Sequence, residues 1–370
     1  MKRDILLIMP ALFIGGAEKQ YRYIADVLAE DNNVTVLLLN RPLEGQEKQT
    51  LNYIEHHEQI KYYQLDGNAI NSASKGKKAE KIQKINSLKK QYFWIKKYLK
   101  AHHVDIVMFS YVTQLLMVPL FKKNHVKVIF NERNTGRQIC DKNYKIKLLK
   151  KCDKVIANSK MAAKYVSQKT GIDVEVVNNG IVYKSLEHKI HNNFVITIPA
   201  RITPIKNQMI VLKALKQMPN KNNILVKFAG GVGDESYLQE LNEYISDNQL
   251  NHYVSFLGFT NEMMSVYSET DVVILPSFEE GTPNVLLESY LYRIIPLASD
   301  IPMNRDCCIY DELLFDPNDA DQLAKKIDLL YNQVPGFNVE DVLEKNRQFV
   351  TSNYSMERLK ITYSELVSKL

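Results

Sequence analysis

Thirteen short apolar runs recur along the chain, most separated by amphipathic or polar stretches long enough for a helix. Runs at 5–9, 34–39, 60–64, 105–109, 126–130, 155–157 and 174–177 form a first series, and runs at 195–199, 225–229, 254–257, 272–275, 296–298 and 313–315 a second. Neighbouring parallel strands need a crossover of helical length, so this alternation specifies parallel sheets covered on both faces. A chain of 370 residues has room for two such α/β domains. The polar stretch 183–193, with Lys184, Glu187, His188, Lys189 and His191, reads as the linker. The expected domains are 1–187 and 188–350, followed by a helical segment at 351–370.

Composition narrows the rest. Net charge is only +6, so the total does not call for a nucleic-acid partner, and none is expected. Cys140, Cys152, Cys307 and Cys308 have no metal-ligand spacing and suggest no disulfide scaffold, which points to a reducing cytoplasm. Lys2-Arg3 before an apolar run imitates a short leader, but Asp4 and Pro10 fit a buried first strand better. No run approaches the eighteen or so apolar residues that cross a bilayer.

The densest chemistry lies at 276–290, Pro-Ser-Phe-Glu-Glu-Gly-Thr-Pro-Asn-Val-Leu-Leu-Glu-Ser-Tyr. It follows a strand and should open a helix, with Thr282 as N-cap and Pro283 at the first helical position. The amides of Asn284 and Val285 would then face outward at the positive end of the helix dipole, a place for an anion. Glu280 precedes that end, and Glu288 shares a helix face with Asn284. A second cluster follows the strand at 195–199, where Arg201 and Lys206 flank a loop stiffened by Pro204. Two fixed cations there suit a diphosphate that gains charge as its bond to a sugar breaks.

Glu280, seven residues, Glu288, preceded by Pro-Ser and followed by Pro296-Leu-Ala-Ser-Asp300, resembles the donor-site signature of the retaining family-4 glycosyltransferases of GT-B type. The resemblance runs along most of the chain and is strongest from 195 to 300. It implies two Rossmann-like domains facing across a cleft, with the acceptor on the first and the nucleotide-sugar donor on the second. The segment 351–370 would cross back to the first domain. The implied roles put Arg201 and Lys206 on the leaving diphosphate, Glu280 on the transferred sugar and Glu288 on the ribose. Gly281, Thr282, Pro283, Asn284 and Val285 would bind the donor. Gly230 would lie near the nucleotide, and Gly15 and Gly16 would face the donor from the first domain. The family usually carries a His or Asp near 131–134; here Glu132, Arg133 and Asn134 stand instead, as acceptor or sugar contacts. Asp319-Ala320-Asp321 spells a metal motif but sits where acids cap a helix, so no metal and no other cofactor is expected.

Residues 75 to 100 hold ten lysines against one acid, Glu80, with apolar residues at helical spacing. This basic amphipathic helix suits an anionic membrane surface or a lipid-linked phosphate, with Lys77, Lys78, Lys81 and Lys84 as contacts. Glu-Gly-x-Pro at 280–283 resembles family members that extend lipid-linked oligosaccharides. The expected function is transfer of a hexose or N-acetylhexosamine from a nucleotide-diphosphate sugar, UDP by resemblance, to a glycan or polyprenyl-diphosphate-linked acceptor, in surface-polysaccharide synthesis. The expected place is the cytoplasm, peripheral on the inner membrane face. A GT-B nucleotide-sugar epimerase and a silent sugar-nucleotide-binding scaffold are the alternatives.

Overall fold

The computed structural model describes residues 2–12, 16–42, 46–65, 77–260, 262–332 and 339–370, with side chains at all of these except 77–82. The chain separates into two compact units, Met1–Gly180 with Tyr354–Leu370, and Ile181–Asn353. The chain thus passes from the first unit to the second after Gly180, ahead of the 187/188 boundary expected from polarity, and returns at Tyr354 rather than at 351.

The first unit is built on a seven-stranded sheet. Its strands are β1 (Asp4–Met9), β2 (Asn33–Leu38), β3 (Ile60–Gln64), β4 (Ile106–Phe109), β5 (Lys127–Glu132), β6 (Lys154–Ala157) and β7 (Val174–Val176). They pair in the order 3-2-1-4-5-6-7, all parallel. Alternate side chains of the central strands feed two cores, as a period of two requires. Leu6, Ile8, Val107 and Phe109 belong to one, and Ile5, Leu7, Met9 and Met108 to the other. The basic helix Lys77–Ala101 covers the first core with Ile95 and Tyr98. The second core is covered by helix Gly16–Ala29, through Tyr21, Ile24 and Leu28, and by the last helix, Met356–Ser368.

That last helix contributes Leu359, Tyr363, Leu366 and Val367 to the core of the first unit. Each such side chain contributes roughly 1.5–3 kcal/mol on full burial. Asn131 donates to the Tyr363 hydroxyl at 3.0 Å. Gly180 packs against this helix, where a Cβ would stand 2.8 Å from Leu359 Cδ2 and from Met356 Sδ.

The second unit holds β8 (Phe194–Ile198), β9 (Ile224–Phe228), β10 (Val254–Phe256), β11 (Val272–Leu275), β12 (Ile295–Ser299) and β13 (Leu314–Phe315). Their order is 10-9-8-11-12-13, again all parallel. In each sheet the strand order reverses once, between β1 and β4 and between β8 and β11. Outside the carboxyl ends of those strands lies the crevice where open α/β sheets bind ligands. Asp319 caps helix Ala320–Tyr331 by accepting from the Gln322 amide, so the Asp-x-Asp sequence is a helix start, as expected. Among the described residues no helix is long and apolar enough to cross a membrane.

Candidate functional site

In the second unit the two loops at the β8/β11 reversal carry the charged residues singled out from the sequence. Three contacts hold them together. Asn207 adopts the left-handed conformation, φ 53°, which Asn tolerates better than most residues. From there its side chain donates to the Pro276 and Pro317 carbonyls at 3.1 and 2.8 Å, tying the loops after β8, β11 and β13. The Phe278 amide donates to the Ile205 carbonyl at 2.9 Å. Lys206 Nζ then lies 2.7 Å from Glu280 Oε1, in an ion pair whose side chains are 25% and 14% exposed.

Arg201 stands earlier in the loop after β8 and is exposed. Its stem runs over Gly233, where a Cβ would stand 2.5 Å from Arg201 Cδ. Gly230 packs its backbone directly on the Ala200–Arg201 peptide. The Ile202 amide donates to the Gly231 carbonyl, and the Gly233 and Asp234 amides donate back to Ile202. Among the described residues Arg201 has no acidic partner. The loop therefore presents one cation without a counter-charge and one, Lys206, already paired with Glu280.

The start of the following helix differs from expectation. Helix Asn284–Leu291 has Pro283 at its N-cap position, with φ −75° and ψ 73° and no side-chain cap, and Thr282 lies one residue outside. Those angles form an inverse γ-turn, in which the Asn284 amide donates to the Thr282 carbonyl at 2.8 Å. Proline fixes φ but leaves ψ to the turn, and here the bend at Gly281–Thr282 sets it outside the helical range. Asn284's amide is thus used internally. Val285 and Leu286 remain as first-turn amides that the helix itself cannot pair.

Glu288 Oε2 accepts from the hydroxyl of Tyr267 at 3.0 Å. Tyr267 is buried, and burial together with the Glu288 charge pushes its phenol well above the usual range, so it stays a donor. Sequence reasoning missed Tyr267, Asn207 and Gly233. Only Asn207, an Asn just before a helix, and Gly233, in a glycine-rich turn, had a legible signal; Tyr267 lies on another helix with nothing to link it to Glu288.

In the first unit, Gly16 opens its helix and is exposed, whereas Gly15 lies outside the described residues. Glu132 ends β5, Arg133 and Asn134 follow it, and the first two are buried. Glu132 is 3% exposed and accepts from the Asn134 amide, and burial raises its carboxyl above the usual range. Arg133 is 7% exposed, donates to Asn179 and has its Nε buried without a partner; burial lowers its pKa. Both lie at the carboxyl end of β5, an inner strand flanked by β4 and β6. Lys84 is exposed on the basic helix, while the side chains of Lys77, Lys78 and Lys81 lie outside the described set. One further cluster, Asp4, His103 and Asp105, gathers at the amino ends of β1 and β4, the opposite edge from the ligand crevice.

Two parallel-sheet Rossmann-like units with these reversal points define the GT-B fold. The chain superposes over its whole length on the Anabaena protein HepE in complex with UDP and glucose, with a TM-score of 0.77, 18% identity and 100% of each chain covered. Residues 14–183 match the model of Glycosyltransferase Family 4, and residues 184–352 that of Glycosyl transferases group 1. The chain belongs to the family-4 glycosyltransferases of GT-B type.

Two curated relatives add detail about themselves. An Escherichia coli UDP-Gal:alpha-D-GlcNAc-diphosphoundecaprenol alpha-1,3-galactosyltransferase is 27% identical over 53% of this chain and 53% of its own length, so the match spans about half of that protein. A Campylobacter jejuni GalNAc-alpha-(1->4)-GalNAc-alpha-(1->3)-diNAcBac-PP-undecaprenol alpha-1,4-N-acetyl-D-galactosaminyltransferase is 23% identical over 99% of this chain and 98% of its own.

Proposed function

We propose that this protein is a retaining glycosyltransferase that moves a hexose or N-acetylhexosamine from a UDP-sugar to a lipid-linked glycan in surface-polysaccharide synthesis. The observation that carries the reading is the β8/β11 reversal, where Arg201, Lys206 and Glu280 come from two loops bound together by Asn207. The bond between the sugar's anomeric carbon and the β-phosphate oxygen breaks, and a bond from that carbon to an acceptor hydroxyl oxygen forms on the same face. The acceptor proton passes to the departing diphosphate. Arg201 and Lys206 hold that diphosphate, each charged hydrogen bond contributing roughly 1.5–3 kcal/mol. Glu280, released from Lys206 as the phosphate arrives, binds sugar hydroxyls. Glu288, oriented by Tyr267, takes the ribose. With two side-chain cations at the leaving group, the reaction runs without a metal or other cofactor.

The choice of UDP and of a lipid-diphosphate acceptor is supported by what the Escherichia coli and Campylobacter relatives are named for. The basic helix Lys77–Ala101, including Lys77, Lys78, Lys81 and Lys84, would bring the protein to the anionic inner face of the membrane where such acceptors sit.

Calorimetric titration of UDP, GDP and ADP into the wild type and Glu288→Ala tests the donor site. UDP is expected to bind the wild type best and to lose affinity in the variant. If no nucleotide binds, or the variant binds equally well, the assignment fails.

A further inference from the structure

The reversal point of the first sheet has the same construction as that of the second, with different chemistry. In the second unit a side-chain pair, Lys206 and Glu280, joins the loops after β8 and β11 at 2.7 Å. In the first unit Tyr111 Oη donates to Glu18 Oε1 at 2.6 Å, joining the segments after β4 and β1. Glu18 stands in the first turn of helix Gly16–Ala29 and is 5% exposed. Tyr111 precedes the short helix Val112–Met117 with extended backbone, φ −87° and ψ 130°, and is 39% exposed. Its ring belongs to neither core of the unit. Leu116, from the same short helix, is also exposed.

We infer that Tyr111 contacts the acceptor sugar and that Glu18 is the residue that positions it, so that the β1/β4 reversal is the acceptor counterpart of the donor site. This rests on the glycosyltransferase reading above. The phenol proton is committed to Glu18, which leaves the oxygen's lone pairs to accept from a pyranose hydroxyl. The exposed ring offers an apolar surface on which the C–H face of a pyranose can stack. Burial and the Glu18 charge keep the phenol above its usual range, so the arrangement holds throughout the neutral region. The ligand class is a pyranoside with a free hydroxyl.

The test is saturation-transfer NMR with the methyl α-glycosides of glucose, galactose, N-acetylglucosamine and N-acetylgalactosamine in the presence of UDP. Wild type, Tyr111→Phe, Tyr111→Ala and Glu18→Gln are compared, with UDP affinity and melting measured on each. At least one glycoside should bind the wild type and be lost in Tyr111→Ala. Tyr111→Phe and Glu18→Gln should each weaken it by about three- to tenfold, with UDP affinity and melting unchanged. Failure of every glycoside to bind while UDP binds, or equal binding by all four proteins, overturns the inference and leaves the donor reading standing. A parallel fall in UDP affinity in the Tyr111 variants also overturns it, by moving Tyr111 to the donor. Failure of UDP to bind the wild type is instead the failure of the proposed function.

Discussion

Replacing Gly230 by Ala asks whether the backbone contact beneath Arg201 holds the donor site. A Cβ at Gly230 would stand 2.0 Å from the Ala200 carbonyl oxygen, 2.5 Å from its carbon and 2.9 Å from the Arg201 nitrogen. All three are backbone atoms, so no side chain can swing aside, and separation to about 3 Å needs the β8 loop to move by about 1 Å. Overpacking of this kind costs about 1–3 kcal/mol of stability. On the proposed function, displacing Arg201 and Lys206 by that distance would forfeit one charged contact to the diphosphate, about ten- to a hundredfold in affinity. The adjacent glycine supplies the control. A Cβ at Gly231 meets only Phe259, at an ordinary 3.5 Å, so Gly231→Ala should change stability by under about 0.5 kcal/mol. Urea unfolding and UDP calorimetry on the pair decide the matter. If Gly230→Ala melts and binds UDP like Gly231→Ala, the packing argument is wrong.

Tyr267→Phe removes the donor that orients Glu288 and should weaken UDP binding by about three- to tenfold in the same calorimetric assay. Unchanged affinity would mean that Glu288 holds its place without the phenol. Gln20 donates to the Gly180 carbonyl at 2.7 Å and accepts from its amide at 2.9 Å, both buried. Gln20→Ala should therefore lose roughly 1–3 kcal/mol per orphaned group on urea unfolding, and a loss below about 0.5 kcal/mol would refute it. Glu269 is held at about 2, against an ordinary 4.5, by hydrogen bonds from Lys189 and Lys227. A carboxyl depressed in the folded state stabilises above its unfolded pKa, and that contribution is lost as the pH falls from about 4.5 towards about 2. Glu269→Gln should flatten the fall of the urea midpoint across that window, modestly because the pair is exposed; parallel curves would count against the pairing.

Much of this architecture is written locally. The apolar runs marked the strands because β1, β4, β8 and β11 are buried on both faces and tolerate little else. Arg201, Lys206, Glu280 and Glu288 were legible because strand ends and helix starts fix their places. The cap at 282–284 was misread because Thr-Pro has two local solutions, and a γ-turn at Pro283 uses the same residues as an N-cap. The burial of Glu132 and Arg133 was not legible, because a polar residue at a strand's end looks the same in sequence whether it is buried or exposed. Tyr267 and Tyr111 had no signal at all, since each acquires its meaning from a carboxylate distant in sequence, Glu288 or Glu18.

The return of helix Met356–Ser368 also orders events during synthesis. Ile181–Asn353 is one continuous stretch of chain. The first 180 residues, although they leave the ribosome earlier, lack Leu359, Tyr363, Leu366 and Val367 from their core until the helix Met356–Ser368 has been made. The second unit therefore has its whole sequence available before the first does. A nascent chain stopped at residue 353 would carry one unit complete in sequence and one whose helix Gly16–Ala29 still presents an uncovered apolar strip to chaperones.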